Sequence, residues 1–322
     1  MSIFITGSTG FIGSAAVRNF AEAGFNVRAG VRLSNNGIRN VPHAQKVVVH
    51  GNLEHEDCWQ QILEGSDVVV HIAGPAHLNL GRAEIPTAQR TIIEGTRNLA
   101  VGAAISGVKR FIYLSSAHVF GSQSPPMRPF READPTHPQN YYAIAKLEAE
   151  HEVIRAAAGS DMNYVIMRPP MVYGPGAPGN FSRLVRLVCS SWPLPLLGAH
   201  ALRSFISINN LTSSLVVAAQ HRRAADSRFN ISDGEDCSTA QMIRLIARAQ
   251  KNRARLFWAP KSLLRAGAYL MGRRADFSKL FQPFQIDISQ FTNFTGWTPP
   301  LSLSEGIYDA IESLHNSQLH PR

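Results

Sequence analysis

The sequence predicts an α/β fold, a doubly wound parallel sheet with a smaller C-terminal lobe. Three observations predict it. To about residue 168, short β-branched runs alternate with segments of helical periodicity, the pattern of a parallel sheet covered on both faces. Runs such as Val68-Val-Val70 are apolar throughout, as strands buried on two sides require. The first strand leads straight into Gly7-Ser-Thr-Gly10-Phe-Ile-Gly13 and then into helical sequence, a strand–turn–helix unit. With 322 residues, 44% of them hydrophobic, the chain is long enough for one large domain or two closely joined lobes.

In order, the strands are expected at Ser2–Thr6, Asn26–Val31, Lys46–His50, Asp67–Ile72, Arg110–Ser115 and Asn163–Arg168. Helices are expected at Phe11–Ala23, Ile85–Ser106 and Asn140–Ala158. After Arg168 the texture changes. Pro169-Pro170, Gly174-Pro175-Gly176, Pro178-Gly179 and Trp192-Pro-Leu-Pro195 break the chain repeatedly. Ser238-x-x-Gln241 and Ser302-x-x-Glu305 read as capping boxes that open later helices. The boundary is therefore drawn at 1–168 for a nucleotide-binding lobe and 169–322 for a mainly substrate-binding lobe, with some of its segments returning to the first sheet.

The glycine turn points to a dinucleotide, and with it to a Rossmann-like sheet. Gly7 allows a tight turn, Gly10 lets backbone approach a pyrophosphate, and Gly13 lets helix and strand pack closely. The helix N-terminus offers N–H groups and partial positive charge to phosphates. The net charge of +9 comes from dispersed Lys and Arg, the densest pairs being Arg222-Arg223 and Arg273-Arg274. No basic run with interleaved aromatics appears, so nucleic acid is not expected as a partner. Cys58, Cys189 and Cys237 form neither a disulfide framework nor a metal motif, and no metal site is expected. With no secretory leader and no apolar run near ~20 residues, a cytoplasmic chain without stable membrane insertion is expected. The apolar segment Leu263–Met271, followed by Gly272-Arg273-Arg274, is short enough to pack on its own lobe rather than on a membrane surface.

Tyr142 and Lys146 stand four apart in helical sequence, on one face. A free phenol titrates near pH ~10, and a neighbouring ammonium should lower that value into a useful range for proton transfer. Ser115-Ser116 ends the preceding strand, at the edge where such sheets bind ligands, and Ser116 is placed to hydrogen-bond a substrate hydroxyl or carbonyl.

These motifs together resemble the extended short-chain dehydrogenase/reductases, the NAD-dependent epimerase/dehydratase group. The resemblance runs through Gly7-x-x-Gly10-x-x-Gly13, His71-Ile-Ala-Gly74, Gly95-Thr-Arg-Asn98, Ser115-Ser116-Ala-His-Val-Phe-Gly121, Tyr142-x-x-x-Lys146, Arg168-Pro-Pro-Met-Val-Tyr-Gly174-Pro175 and Gly296-Trp297-Thr-Pro-Pro. It implies Ser116, Tyr142 and Lys146 as catalytic residues. It implies cofactor contacts at Gly7, Thr9, Gly10, Phe11, Ile12, Gly13, Arg32, Asn52, Leu53, Ala73, Gly74 and Pro169, besides Tyr142 and Lys146. Substrate contacts are implied at Ser116, Tyr142, Met171, Asn180, Phe181 and Arg203, with Arg203 on a diphosphate and Arg183 and Arg186 on a solvated helix face.

Three departures from the family pattern narrow this reading. The second strand ends in Arg28-Ala-Gly-Val-Arg32 with no carboxylate, which favours NADP over NAD. Ala117 and His118 stand where sugar dehydratases carry an acidic pair, which argues against dehydration and leaves His118 structural. Ile92 and Met171 replace asparagines of many relatives. The segment 167–211 is similar to enzymes of bacterial surface-polysaccharide synthesis that act on UDP-linked N-acetylhexosamines or their 4-keto-6-deoxy derivatives. The expected activity is 4-keto reduction of such a sugar. The alternatives are a UDP-hexose or UDP-N-acetylhexosamine 4-epimerase with tightly held NAD, and a non-enzymatic NADP sensor or scaffold. A homodimer through Ile85–Ser106 and Asn140–Ala158 is implied by the same resemblance.

Overall fold

The computed structural model describes residues 1–33, 40–55, 58–75, 81, 83–190, 192–270, 277 and 280–319. Met271 to Arg274, which follow the apolar helix noted above, lie outside the described residues. Seven strands form one sheet: β1 (Ser2–Thr6), β2 (Asn26–Arg32), β3 (Lys46–His50), β4 (Val68–His71), β5 (Arg110–Leu114), β6 (Asn163–Arg168) and β10 (Ser227–Asn230). Their order is β10-β6-β5-β4-β1-β2-β3, with every pairing parallel. The order reverses between β1 and β4, which opens a crevice at the carboxyl ends of those strands.

Alternation along the strands builds two cores. In β1, Ile3 and Ile5 point into one cluster with Val27, Ala29, Val68, Val70 and Ile112, while Phe4 points into another with Val69, Phe111 and Tyr113. Helices α1 (Phe11–Glu22) and α6 (Ile208–Gln220) cover the first face, and α3 (Ile85–Ile105) and α4 (Tyr141–Ala157) the second. Fully burying a side chain such as Phe4 is worth about 2–3 kcal/mol. The expected element limits hold to within a residue or two. β4 begins at Val68, one residue later than expected; Asp67 stands just before it, its N–H donating to Ser2 O and its carbonyl accepting from Lys109 N, each at 2.9 Å.

Much of the rest of the chain packs in a third cluster around Tyr173, Phe181, Phe205, Ile243 and Ile307. Here β7 (Met171–Tyr173) pairs with β9 (Phe205–Ser207), and β8 (Leu202–Arg203) with β11 (Cys237–Ser238). Helices α5 (Asn180–Cys189), α7 (Thr239–Ala249), α8 (Lys261–Leu270), α9 (Ser289–Thr295) and α10 (Leu303–Leu319) complete the chain, along with the short α2 (Trp59–Leu63). Both capping boxes form: Ser238 Oγ accepts from Gln241 N at 3.2 Å, and Ser302 Oγ from Glu305 N at 3.3 Å. Gly296 closes α9 in the left-handed region at φ 74°. Trp297 then packs on Phe291 and donates from Nε1 to Ser213 Oγ at 3.2 Å, so the C-terminal motif holds α9 against α6.

Candidate active site

The glycine turn is dictated by close approach. Gly7 has φ 71°, and a Cβ there would lie 2.9 Å from Ala73 N. A Cβ on Gly13 would sit 1.9 Å from Gly7 O, so no larger residue fits. Gly10 starts α1 with no side-chain cap, and a Cβ there would meet only Gly7 O at 3.3 Å. The helix therefore presents its N-terminal N–H groups at an uncluttered backbone, suited to a phosphate. Thr9 is exposed beside it, and Ile12 packs partly into the sheet core. Phe11 leans on the second lobe's cluster and joins the turn to that lobe.

A closed hydrogen-bond chain fixes the neighbouring strand ends. Thr96 Oγ1 donates to Ile92 O at 2.5 Å, so it accepts from His71 Nε2 at 3.0 Å. The other ring nitrogen, Nδ1, then accepts from Thr6 Oγ1 at 2.7 Å. Thr6 Oγ1 in turn accepts from Ile72 N and Ala73 N, each at 3.2 Å. Burial pushes the His71 imidazole down to about 3, which keeps it neutral and preserves this order. Ala73 and Gly74 are thereby pinned against Gly7. Leu53 corrects an expectation. Its side chain is buried in the core against Gly95, where a Cβ would come within 2.6 Å of it, so only its backbone can face a ligand. Asn52 beside it is exposed. Arg32 ends β2 exposed, paired in register with His50, and no carboxylate lies on β2 or β3.

Ser116, Tyr142 and Lys146 come from two adjoining elements. Ser116, 6% exposed, caps the short helical turn Ala117–Phe120 by accepting from His118 N at 3.2 Å. Ala117 N donates to Pro169 O at 2.9 Å, which ties that turn to the end of β6. Asn140 caps α4 by accepting from Ala143 N at 2.9 Å and sets Tyr142 in its first turn. Lys146 is buried, donates from Nζ to Leu114 O at 2.8 Å, and lies 4.7 Å above the Tyr113 ring and 5.9 Å from that of Tyr142. His118 packs its ring on Phe284 at 4.7 Å, in a structural setting.

The electrostatics correct the expected acidification of the phenol. Burial pushes Tyr142 up to about 12, and Tyr141 adds to the rise. Burial also brings Lys146 down to about 7, opposed by Glu150, so its ammonium is only partly populated near neutrality. Loss of water moves both groups toward their neutral forms, and the phenol is held protonated.

Sequence reasoning missed the support beneath this pair. Glu150, fully buried one turn beyond Lys146, accepts from Ser115 Oγ at 2.5 Å and from Arg168 Nε and Nη2 at 2.9 and 2.5 Å. A carboxylate four residues past Lys146 on the same helix face was the available signal. The bridge fastens α4 to the ends of β5 and β6, and so fixes Tyr142 and Lys146 relative to Ser116.

In the second lobe, Arg203 is half-buried. Its Nη1 donates to Gln282 O at 2.9 Å, its Cζ lies 5.5 Å from the Phe284 ring, and no carboxylate pairs with it among the described residues. Burial lowers its guanidinium to about 10. A half-buried cation without a counter-charge suits an anionic ligand. Met171 is partly buried and Asn180 exposed at the start of α5. Phe181 corrects another expectation: it is 2% exposed and packs on Tyr173 at 5.4 Å, in the lobe's core. Its apolar ring does more for the lobe there than it could at a wet diphosphate. Arg183 and Arg186 are exposed on α5, and Ile92 is buried in the sheet's second core.

A glycine turn at the switch point of a parallel sheet, next to a Ser, a Tyr and a Lys, defines the class: an α/β enzyme that works with a nicotinamide dinucleotide. The profile of the NAD dependent epimerase/dehydratase family matches residues 3–232, and the chain belongs to that family. It is 36% identical over 316 residues to a UDP-glucose 4-epimerase of Vibrio cholerae, covering 97% of this chain and 95% of that one. It is 22% identical to a GDP-6-deoxy-D-mannose reductase of Pseudomonas aeruginosa, over 95% and 94% of the two chains. The solved structure of MoeE5 in complex with UDP-glucose and NAD superposes with a TM-score of 0.79 at 24% identity, over 99% of this chain and 100% of that one. The family contains both epimerases and reductases, so family membership alone leaves the direction of chemistry open.

Proposed function

We propose that the protein reduces the C4 ketone of a UDP-linked 4-keto-6-deoxy-N-acetylhexose, with NADPH as reductant. The observation that carries this reading is Arg32, exposed at the carboxyl end of β2, with no carboxylate on β2 or β3. A carboxylate there would repel a 2′-phosphate, whereas a guanidinium pairs with it. The protonated state of Tyr142 supports the same direction, because reduction needs an acid at the outset and oxidation needs a base.

The residues present fit the cofactor. The N-terminus of α1 with Gly7, Thr9, Gly10, Phe11, Ile12 and Gly13 would hold the pyrophosphate. Arg32, Asn52 and the Leu53 backbone would hold the adenosine end, and Ala73, Gly74 and Pro169 would flank the nicotinamide side. A bound nicotinamide supplies the hydride at C4. Ser116 donates a hydrogen bond to the ketone oxygen and polarises it. Tyr142 gives its proton to the oxygen as negative charge develops there, which leaves a C4 hydroxyl and a phenolate. The Lys146 ammonium stabilises that phenolate, and solvent then restores the phenolic proton. Arg203 holds the diphosphate, with Met171 and Asn180 toward the sugar and nucleotide.

A second reading, 4-epimerisation with retained NAD, is favoured by the name of the Vibrio relative. We propose also a homodimer formed by α3 and α4, whose outer faces expose Val101, Ile105 and Ile144. The test of activity is incubation with UDP-4-keto-6-deoxy-N-acetylglucosamine and NADPH or NADH. Faster loss of NADPH absorbance is the expected result. Conversion of UDP-N-acetylglucosamine to its C4 epimer with no added cofactor would overturn the reduction. Light scattering that shows only monomer would remove the dimer.

A further inference from the structure

We propose that the outer face of the C-terminal lobe, built by α8 and the strand-like segment before it, docks on the surface of an anionic phospholipid bilayer. The observation is an apolar and aromatic patch in a cationic, acid-free stretch of chain. From Cys237 to Ala275 the sequence has nine Lys or Arg and no Asp or Glu, so this short segment carries a charge equal to the net +9 of the whole protein. The described basic residues there form no ion pair with a carboxylate among the described residues.

Two backbone-paired segments and α8 carry the exposed side chains. Leu194 N donates to Arg255 O at 2.8 Å and Phe257 N to Leu194 O at 3.0 Å, a parallel bridge that puts Trp192 at the Arg253–Arg255 end of the pairing and Trp258 at the other, where a Cβ on Gly198 would meet its ring. Pro260 O accepts from Leu263 N at 3.0 Å and starts α8 directly after. Trp192 is 72% exposed, Trp258 65%, Leu263 65% and Leu270 84%, far beyond what isolated surface side chains require. On α8 Ala268 is buried and Leu264 partly buried, while Leu263, Ala266 and Leu270 fall within about 60° of one another on the other side. Arg265 is exposed on the same helix, and Arg253 and Arg255 are exposed on the segment before it.

Charge complementarity selects the occupant. Exposed tryptophans beside leucines suit the headgroup layer, where an amphipathic ring keeps one edge wet. Each guanidinium or ammonium near an anionic leaflet strengthens binding about fivefold, and the effect fades over about 10 Å at ordinary salt. A soluble protein partner would need its own acidic apolar face, and a second copy would bring the same positive charge against itself.

The test uses the full chain with vesicles of phosphatidylcholine and phosphatidylglycerol in equal parts, against vesicles of phosphatidylcholine alone, by flotation. The wild-type protein is expected to float with the anionic vesicles only, and to be released by high salt. Leu263→Ser with Leu270→Ser, and separately Arg253→Glu with Arg255→Glu, are each expected to reduce the bound fraction about tenfold with an unchanged melting temperature. If the leucine variant does not fold, the arginine variant decides. Absence of flotation, flotation insensitive to both pairs, or conversion of a dimer to monomers by the leucine variant without vesicle binding would each overturn the proposal.

Discussion

Two arginines of this molecule make opposite use of burial. Arg168, 2% exposed at the end of β6, is gripped by both oxygens of Glu150. Arg203, on β8, has a carbonyl and a ring face but no carboxylate among the described residues. A buried cation with a bidentate carboxylate has its charge compensated and holds elements together, as Nε and Nη2 of Arg168 do here. A half-buried cation that lacks one carries an unmet desolvation cost that an anion can offset. The contrast separates the floor of the site, where the buried cation has its counter-charge, from the second lobe, where Arg203 has none among the described residues.

The largest effect should come from the chemistry set on that floor. Tyr142→Phe is expected to lower kcat by about 10²- to 10⁴-fold with no loss of melting temperature, read by NADPH oxidation. Glu150→Ala leaves Arg168 as an uncompensated buried charge and should cost about 3–5 kcal/mol, seen as a large drop in denaturant midpoint. Retained stability in that variant would erase the contrast. The neutral His71 gives a pH signature with a definite sign. Its folded value, about 3, is below the ordinary histidine value, so the unfolded chain takes the proton first. Stability is present above about pH 6.5 and should fall by about 2 kcal/mol over the first one and a half pH units below that. His71→Gln should flatten this limb in melting curves taken across pH. Arg203→Ala should raise KM for the nucleotide sugar about tenfold to a hundredfold with stability unchanged or slightly higher, the reverse of the Glu150 result. The smallest effect expected is at Arg32: Arg32→Glu should reduce the preference for NADPH over NADH about tenfold.

Much of the fold was legible because it depends on local pattern. The strand ends at Thr6, His50 and Arg168 and the helix starts at Phe11 and Ile85 follow from β-branched runs, glycine and capping chemistry, and the structure places them where the sequence predicts. The site was legible where a motif lies in one segment, as with Gly7 to Gly13 and Tyr142 to Lys146. What depends on distant burial was not. The Tyr142 phenol rises rather than falls because the packing of α4 on β5 removes water from both groups, and spacing along a helix carries no information about that. Phe181 lies beside Asn180 in sequence but turns inward, because Tyr173 from β7 meets it there. The Ser115–Glu150–Arg168 bridge joins three elements, so only its Glu150 member left a trace in the local pattern. The segment Leu263–Met271 with Arg273-Arg274 after it stands out in the sequence but reads as packed on its own lobe, because the exposure of Leu263 and Leu270 depends on packing that the local pattern does not carry.

The central claim is that a nicotinamide hydride goes to C4 of a sugar nucleotide and the Tyr142 proton to its C4 oxygen. It is tested most directly with NADPH carrying deuterium at the transferable position and the UDP-4-keto sugar, the product being read by mass and proton NMR. The expected result is deuterium bonded to C4 of the product in the wild-type enzyme and no product in Tyr142→Phe. An unlabelled C4 in a product formed at full rate would contradict it.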